Sequence, residues 1–582
     1  MRGRRAFVAV LGIAATLIVG SAAPTVAAPA RSAAVSSNPL QPGPHHVAVK
    51  HYSLGDTAYR IPGFLGPIEL TGEVFYPTDF SGAPYPIVVL LHGRHQTCMS
   101  SREATGDWPC KKGYKAIPSY RGYDYLAKPL ASHGYVVISI SANGINAADW
   151  QSDDSGMTAR GQLILKHLDL WHGWYANPKG SPIPWPNVRA FDFNRIGLMG
   201  HSRGGEGIVA ALEQNATRAD PYQIKALLPL APTDFDRRIP INVPTGTLLP
   251  TCDGDVSDLE GVHYYDDARY RVPTDTGPKN VITVQGANHN YFNTSWSPSS
   301  KFPGAIDDWT FDGGTKKSAC SPTKPTRLTE TQQRRAGSGY IGSFFRYYLG
   351  GETAFAPLWH GDAGVPQSIA PAKVSVTYEA PSVKGRLDIN RFDGYGDSNY
   401  LGGAVRVHGQ SDVSGCGGAD SDKYASCLSR QQSDAQREPE RGWGFQGVSA
   451  ATVTWRKPSD SIANDIPTRY GDLRKYRAVE LRTGLDFTSK LNAAGKPQDF
   501  RITLTDRHGK SASVRLSRFS AALNYPLTAP DFDVVPHLLF NPARVPLAAF
   551  HGIDLARIRT VTLAFNATHQ GRVVLTDLAF SN

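Results

Sequence analysis

A serine between two glycines is the feature of this sequence with the clearest chemical meaning. The run Gly200-His201-Ser202-Arg203-Gly204 follows an apolar stretch at 195–199, which predicts a strand, and precedes an Ala-rich stretch at 207–212, which predicts a helix. A serine on such a turn presents its hydroxyl over the end of a sheet, and the glycines are needed because the turn leaves no room for side chains. A chain with 57 Gly could contain this pattern by accident, so the interpretation of Ser202 as a nucleophile depends on residues elsewhere.

A serine hydroxyl becomes a good nucleophile only when a histidine takes its proton and a carboxylate holds that histidine in the right tautomer. His289 is the candidate base, because it directly follows the predicted strand 280–284. Alternatively, His289 is an ordinary surface-loop histidine without a catalytic role. Among the 17 His, His263 is the next candidate for the base.

The candidate acid lies after the predicted strand 245–250, where two carboxylates compete. We expect Asp255 to be the partner of His289 because of its offset from the strand end, with Asp253 as the alternate. Asp258 and Glu260 follow closely, so a calcium loop is the competing interpretation of this cluster. The spacing departs from the EF-hand pattern and lacks its terminal glutamate, and we predict no metal.

A reaction through an oxyanion also needs two backbone N–H groups aimed at the developing negative charge. Arg203, directly after the serine, should supply one, and Arg94 in the His92-Gly93-Arg94 turn after the predicted strand 85–91 should supply the other. The Arg203 side chain has two competing interpretations. It is either a cation that favours acidic or polar substrates, or an outward side chain bonded to Glu206 or Asp234.

Strands and helices alternate over residues 46–361 and position these candidates. Strands are predicted at 85–91, 135–140, 195–199, 224–230, 245–250 and 280–284, with helices at 123–132, 158–175 and 332–349. Repeated β–α units predict a mostly parallel sheet covered by helices. From about residue 371 the helical periods end and short alternating runs appear, at 373–378, 501–505, 513–516, 560–565 and 572–575. They predict an all-β sandwich or jelly roll.

The first 45 residues predict export. Arg2, Arg4 and Arg5 precede an apolar run at 6–20 and then small residues that suit a signal peptidase, so we expect a signal peptide at 1–30 and a flexible linker at 31–45. Either a twin-arginine signal or an ordinary secretory signal fits. The apolar run is too short and too Ala-rich to be a permanent membrane span, so no membrane association is expected after its removal.

Bulk properties agree with an exported globular protein of two or more domains. The chain has 582 residues, 41% hydrophobic and 19% charged. Its net charge of +10 is scattered apart from three charges at the N-terminus, which makes nucleic acid a poor candidate partner. The cysteine count is even, and proximity in sequence favours three disulfides among the 15 pairings open to six cysteines: Cys98–Cys110, Cys252–Cys320 and Cys416–Cys427.

Together, the His92-Gly93 turn, the Ser202 elbow, Asp255 and His289 resemble the secreted bacterial α/β-hydrolases, most closely the branch of cutinase-like polyester hydrolases and platelet-activating-factor acetylhydrolase-type esterases. The resemblance covers residues 46–361. It implies the doubly wound α/β-hydrolase sheet and hydrolysis of carboxylic esters through an acyl-serine intermediate, without a cofactor. Cutinase-like enzymes usually carry Met where this chain has Arg203, which puts a polyester substrate in doubt.

Residues 544–580 resemble the closing strands of galactose-binding-like sandwiches, which implies that the predicted domain at 371–582 could bind a glycan. A stacking platform of aromatic side chains is one interpretation, and core positions are the alternative: Trp443, Phe445, Trp455, Tyr395 and Tyr400. The segments 388–390 and 393–394 could hold calcium or form a solvated turn.

These observations predict a secreted serine hydrolase that cleaves small-molecule or polymeric carboxylic esters, with a catalytic domain at 46–365 and a β-sandwich domain at 371–582. A peptidase or amidase with the same three residues stays open, because only the leaving group differs. A glycan-binding protein on an inactive hydrolase scaffold also stays open.

Overall fold

A computed structural model describes residues 37–183, 190–272, 274–301, 303–309, 318–381, 385–393, 396–409, 411–417, 427, 429, 449–526 and 540–582. The predicted signal peptide and residues 31–36 of the predicted linker lie outside these residues. The rest of the predicted linker is described, and the backbone N–H groups of Gly43 and His45 donate to Ser132. Among the helices that the structure describes, none combines the length and the apolar character that crossing a bilayer requires.

The N-terminal part is built around a nine-stranded sheet. Its region of the chain contains strands β1 Val47–Ser53, β2 Thr71–Pro77, β3 Tyr85–Leu91, β4 Cys98–Met99, β5 Ala104–Thr105, β6 Lys115–Ala116, β7 Val136–Ile140, β8 Phe191–His201, β9 Ile224–Leu230, β10 Thr245–Pro250, β11 Lys279–Val284 and β12 Val374–Glu379. The sheet order is β1-β2-β7-β3-β8-β9-β10-β11-β12, and β4 to β6 form a separate small sheet.

Helices cover both faces of this sheet: α1 Asp124–Ser132, α2 Asn143–Ala148, α3 Met157–Ala176, α4 Arg203–Ala216, α5 His263–Arg271, α6 Glu330–Tyr348 and α7 Ala356–Trp359. The side chains of β3 alternate between two hydrophobic clusters. Val89 packs with α3 and α4 on one face, and Val88 packs with α1 and α6 on the other. A strand buried on both faces reads as a continuous apolar run, which explains the composition of β3. Strands β3 and β7 to β11 are parallel, as predicted.

The edge strand β12 corrects the predicted domain boundary. The alternating run at 373–378 predicts the first strand of the β-sandwich, but Val374–Glu379 pairs antiparallel with β11 and completes the nine-stranded sheet. Alternation predicts that these residues form a strand, but tertiary packing decides which strand they pair with.

The C-terminal part contains two antiparallel sheets. Its strands are β13 Arg386–Asn390, β14 Val405–His408, β15 Asp412–Gly417, β16 Ser449–Trp455, β17 Ser461–Asp465, β18 Ala478–Leu485, β19 Arg501–Asp506, β20 Ser511–Arg515, β21 Asn541–Pro546, β22 Ile558–Ala564 and β23 Gly571–Ser581. One sheet runs β15-β16-β23-β18-β21, with β13 also on β23, and the other runs β14-β17-β22-β19-β20. Both contribute to one hydrophobic cluster, for example through Val453 and Ile462. The prediction of a β-rich second half is confirmed at this level.

Buried ion pairs join the two parts of the chain. The guanidinium of Arg269, on α5, lies 2.8 Å from a carboxylate oxygen of Asp577 on β23 and 3.1 Å from one of Asp388 on β13. Asp388 also pairs with Arg386 and Arg391. The interpretation of Asp388 as a calcium ligand or part of a solvated turn is therefore wrong, because its oxygens are occupied by arginines in a largely buried network.

Of the two interpretations of the aromatic side chains in the second half, Trp455 fits the core position. That side chain is buried in the hydrophobic cluster and stacks on Phe565, with ring centroids 4.9 Å apart. Tyr400 is exposed and donates to Asp393. Trp443, Phe445 and Tyr395 lie outside the described residues.

The three disulfides predicted from proximity in sequence are confirmed: Cys98–Cys110, Cys252–Cys320 and Cys416–Cys427. The second bridge closes the longest segment, with a sequence separation of 68. It also ties the residue before Asp253 to a distant loop, which links the disulfide to the candidate acid.

Candidate active site

Ser202 occupies a sharp turn between β8, which ends at His201, and α4, which begins at Arg203. Its backbone has φ 59° and ψ −130°, a conformation that residues with a side chain rarely adopt. Such strain is kept where the surrounding structure enforces it, and it clusters at active sites. The glycines are required by space, because a Cβ on Gly200 would lie 1.9 Å from the carbonyl oxygen of Gly204.

The turn after β3 closes against the serine. A Cβ on Gly93 would lie 2.4 Å from the Cβ of Ser202 and 3.1 Å from its Oγ. Only glycine therefore lets the backbone of this turn approach the serine hydroxyl. Arg94, one of the two predicted oxyanion donors, directly follows this glycine in the chain.

His289 and Asp253 form a buried pair on the loops that follow β11 and β10. His289 Nδ1 lies 2.9 Å from Asp253 Oδ2, with the two side chains 1% and 0% exposed. The other oxygen of Asp253 accepts the backbone N–H groups of Asp255 at 3.0 Å and Val256 at 2.7 Å. Because these bonds hold one carboxylate oxygen in the turn, the other oxygen is directed at the histidine.

The preference for Asp255 as the orienting acid is corrected by this geometry. Asp255 Oδ2 lies 3.4 Å from Nε2 of His289, on the opposite edge of the ring from Asp253, and its side chain is 41% exposed. A carboxylate that fixes the tautomer must accept from Nδ1 so that Nε2 is free to take the serine proton. Asp253, the alternate, occupies that position. In this turn the backbone donates to Asp253, and the side chain of Asp255 is partly exposed. The offset of Asp255 from the strand end does not predict this arrangement.

The charge state of His289 is set by its neighbours. Burial alone would lower the pKa of His289, but the carboxylates of Asp253 and Asp255 outweigh it and raise the pKa above its usual value. His289 Nε2 is buried and accepts no hydrogen bond from Ser202 Oγ or any other described group. Catalytic hydrogen bonds are often long before substrate binds.

Asp308 is a site residue that the sequence analysis missed. Its carboxylate accepts the backbone N–H of His289 and, at 2.9 Å, the Nδ2 of Asn288. Burial raises the pKa of Asp308 to about 7. It comes from a loop with no strand-end or motif signal, so only the fold reveals that it holds the histidine loop in place.

The ring of His289 lies beside two further aromatic groups. The ring centroid of His201 is 4.9 Å from that of His289 and 4.7 Å from that of Trp296. Burial keeps the pKa of His201 well below its usual value, so this imidazole is neutral near pH 7. His289 therefore lies next to the residue that precedes Ser202, beside the buried rings of His201 and Trp296.

The rival histidine, His263, takes part in a different cluster. Its Nδ1 lies 3.2 Å from Asp234 Oδ2, and Arg237 donates to its Nε2 at 3.2 Å. Among the residues that the structure describes, no group of three or more His, Cys, Asp or Glu side chains is arranged to hold a metal ion.

The backbone N–H of Arg203 belongs to the first residue of α4, where no intrahelical acceptor exists. The interpretation that the Arg203 side chain is bonded to Glu206 or Asp234 is wrong. The side chain donates instead to the buried carboxylate of Asp149 at 2.9 Å and lies over the ring of Phe235, with the guanidinium carbon 5.5 Å from the ring centroid. Arg94 Nε reaches the same Asp149 at 3.3 Å.

Two comparisons with known proteins bear on this site. A family model described as PET hydrolase-like matches residues 110–335. The bis(hydroxyethyl) terephthalate hydrolase of Streptomyces coelicolor is 26% identical over 306 residues, which span 51% of this chain and 80% of that protein. The range matched by the family model contains Ser202, Asp253 and His289 and ends before the C-terminal sheets.

Proposed function

Because this chain is an α/β-hydrolase of the carboxylic-ester hydrolase class, we propose that it works through an acyl-serine intermediate. Ser202 is the nucleophile, His289 the general base and Asp253 the carboxylate that orients the histidine. The observation that carries this proposal is the Ser202 elbow facing the same sheet edge as the buried His289–Asp253 pair. Strands β8, β10 and β11 are parallel, so the loops after them meet at one edge.

In this mechanism Ser202 Oγ attacks the ester carbonyl carbon while its proton passes to His289 Nε2. The carbonyl electrons move to oxygen, and the backbone N–H groups of Arg94 and Arg203 donate hydrogen bonds to the resulting oxyanion. Collapse of this intermediate expels the alcohol, which takes the proton from His289 and leaves the acyl group on Ser202. Water then repeats the sequence, and the carboxylic acid leaves.

We propose esters of aromatic acids as the substrate class. The names of the matched family and of the Streptomyces relative point to terephthalate esters. In this chain, Trp150 directly follows Asp149 and is 71% exposed, and Phe235, against the Arg203 side chain, is 48% exposed. Exposed aromatic surface beside Arg203 suits an aromatic acyl group or the segment of a polymer that carries it.

Secretion is part of the proposal. It is supported by the three disulfides, which persist in oxidising compartments, and by the pattern of the first 30 residues. For the C-terminal sheets, the galactose-binding-like fold and a glycan ligand stay predictions from the sequence.

The experiment that tests the proposal is hydrolysis of bis(hydroxyethyl) terephthalate and of p-nitrophenyl esters by the full chain and by Ser202→Ala. The wild type should turn over esters, and Ser202→Ala should lower kcat by about 10⁶-fold while keeping the wild-type melting temperature. Matched p-nitroanilides separate an amidase from an esterase. Ester turnover that survives in Ser202→Ala contradicts the mechanism, and a folded but inactive wild type favours the scaffold interpretation.

A further inference from the structure

Two side chains fix the orientation of the peptide unit between Gly93 and Arg94. Its carbonyl oxygen, on Gly93, accepts from Asn146 Nδ2 at 3.0 Å and from His92 Nδ1 at 2.9 Å. His92 Nε2 accepts the backbone N–H of Ala142 at 2.9 Å, so the ring proton is on Nδ1. In a trans peptide the N–H points opposite to the C=O. Fixing the Gly93 oxygen therefore fixes the direction of the Arg94 N–H.

A single buried carboxylate connects the two residues proposed as oxyanion donors. Asp149 has no exposed side-chain surface, and its oxygens bind Arg94 Nε at 3.3 Å and an Arg203 guanidinium nitrogen at 2.9 Å. Arg94 follows β3 and Arg203 begins α4, so no local chain geometry relates them. Asp149 is the group that joins the side chains of both.

Arg160 links Asn146 and Asp149 through hydrogen bonds to both side chains. This fully buried side chain donates from one nitrogen to Asn146 Oδ1 at 2.8 Å and to Asp149 Oδ2 at 2.9 Å. Its other terminal nitrogen donates to the carbonyl oxygens of Ser155 and Gly156 at 3.0 and 3.2 Å. Arg160 lies on α3, in the hydrophobic interior of the domain, and thus anchors the 146–149 segment to the scaffold.

We propose that Asn146 and Asp149 are positioning residues for the oxyanion site. Asn146 sets the orientation of the Gly93–Arg94 peptide, and Asp149 holds Arg94 and Arg203 at a fixed separation across the mouth of the site. The inference rests on the proposed acyl-serine mechanism. Neither side chain touches the reacting atoms, so each acts through the backbone N–H groups that do.

This role predicts a specific kinetic signature. Hydrogen bonds to the oxyanion strengthen as charge develops, so a misdirected N–H weakens the transition state and leaves the ground-state ester almost unaffected. A shift on the order of 1 Å in a positioned group costs about 10²-fold in rate. A merely structural network would instead lower the melting temperature without separating kcat from KM.

The test uses the full chain carrying Asn146→Leu, Arg203→Met or Asp149→Asn. Asp169→Asn is the matched control, because Asp169 also binds an arginine, Arg218 at 2.7 Å, but lies toward the other end of α3. The measurements are kcat and KM for a p-nitrophenyl ester, the melting temperature, and the inhibition constant of a trifluoromethyl ketone. That ketone forms a tetrahedral oxyanion on the serine.

Asn146→Leu and Arg203→Met should each lower kcat by roughly 10- to 100-fold, with KM within about threefold, and should weaken the ketone by the same factor as kcat/KM. Both leave the pair of Asp149 and Arg160 in place, so they decide the proposal even if Asp149→Asn does not fold. Unchanged kcat and ketone affinity in the two folded variants overturn it, as does an equal loss in Asp169→Asn. Wild-type turnover that does not depend on Ser202 overturns the proposed function instead.

Discussion

Replacing Asp253 by asparagine changes one carboxylate oxygen to an amide nitrogen and leaves the size of the side chain unchanged. The backbone N–H groups of Asp255 and Val256 both donate to Oδ1 of Asp253, so the replacing side chain must present an acceptor there. The asparagine oxygen will take that place, so its Nδ2 faces His289 Nδ1 in place of the oxygen now 2.9 Å away.

The consequence is a change of tautomer. With an N–H donor opposite it, Nδ1 of His289 must become an acceptor, and the ring proton moves to Nε2. A protonated Nε2 cannot accept the proton of Ser202. In serine proteases with the same triad, the corresponding change of the acid to asparagine costs about 10⁴ in kcat. We expect a fall of roughly 10³- to 10⁴-fold, about 4–5 kcal/mol in activation free energy.

The assay is kcat and kcat/KM for a p-nitrophenyl ester between pH 5 and 10, with Asp255→Asn as the matched control. Asp255 lies on the Nε2 edge of His289 and helps to raise its pKa. Since the base works only when neutral, kcat/KM rises with pH through the pKa of His289. Asp255→Asn should move this acid limb to lower pH and change the plateau by less than about tenfold.

The opposite behaviour of the two variants would contradict the role proposed for Asp253. An inactive Asp255→Asn beside an Asp253→Asn that keeps a tenth or more of wild-type activity would assign the acid role to Asp255. An acid limb that stays in place in Asp255→Asn would show that this carboxylate does not raise the pKa of His289.

Two further predictions concern stability. Replacing Cys252 and Cys320 by serine should lower the free energy of unfolding in urea by about 4 kcal/mol and also lower kcat. Replacing Cys98 and Cys110, which close a shorter loop, should lower it by about 3 kcal/mol and leave kcat unchanged. Equal effects of the two replacements on kcat would show that the Cys252–Cys320 bridge does not help to position Asp253. Burial raises the pKa of Glu206 to about 7, so its protonated form stabilises the fold at acid pH, and that contribution is lost as pH rises through 7. Glu206→Gln should therefore gain melting temperature relative to wild type between pH 5 and 9, and a difference that stays constant with pH would contradict this.

The parts of the site that lie close together in sequence could be predicted from it. The Ser202 elbow is a local pattern of two glycines between a strand and a helix, and His289 follows its strand directly. The edge of the sheet where both lie follows from the parallel order of the strands. The three disulfides could also be predicted, because each cysteine pairs with its neighbour in the order of cysteines along the chain.

What could not be predicted depends on side-chain direction or distant contacts. Asp253 and Asp255 are two residues apart in one turn, and only the hydrogen bonds of that turn decide which carboxylate faces Nδ1. Asp308 and Asp149 reach the site from other loops, without a motif. The strand at 374–379 alternates like those of the second half but pairs with β11.

The proposed mechanism requires that Ser202 is a nucleophile activated by His289. The most direct measurement is labelling of the folded full chain with a fluorophosphonate, followed by peptide mass spectrometry. We expect one adduct, on Ser202, formed at the wild-type rate in Asp169→Asn and at least about 10²-fold more slowly in His289→Asn. An adduct on another residue, or labelling of Ser202 at the same rate without His289, would contradict it.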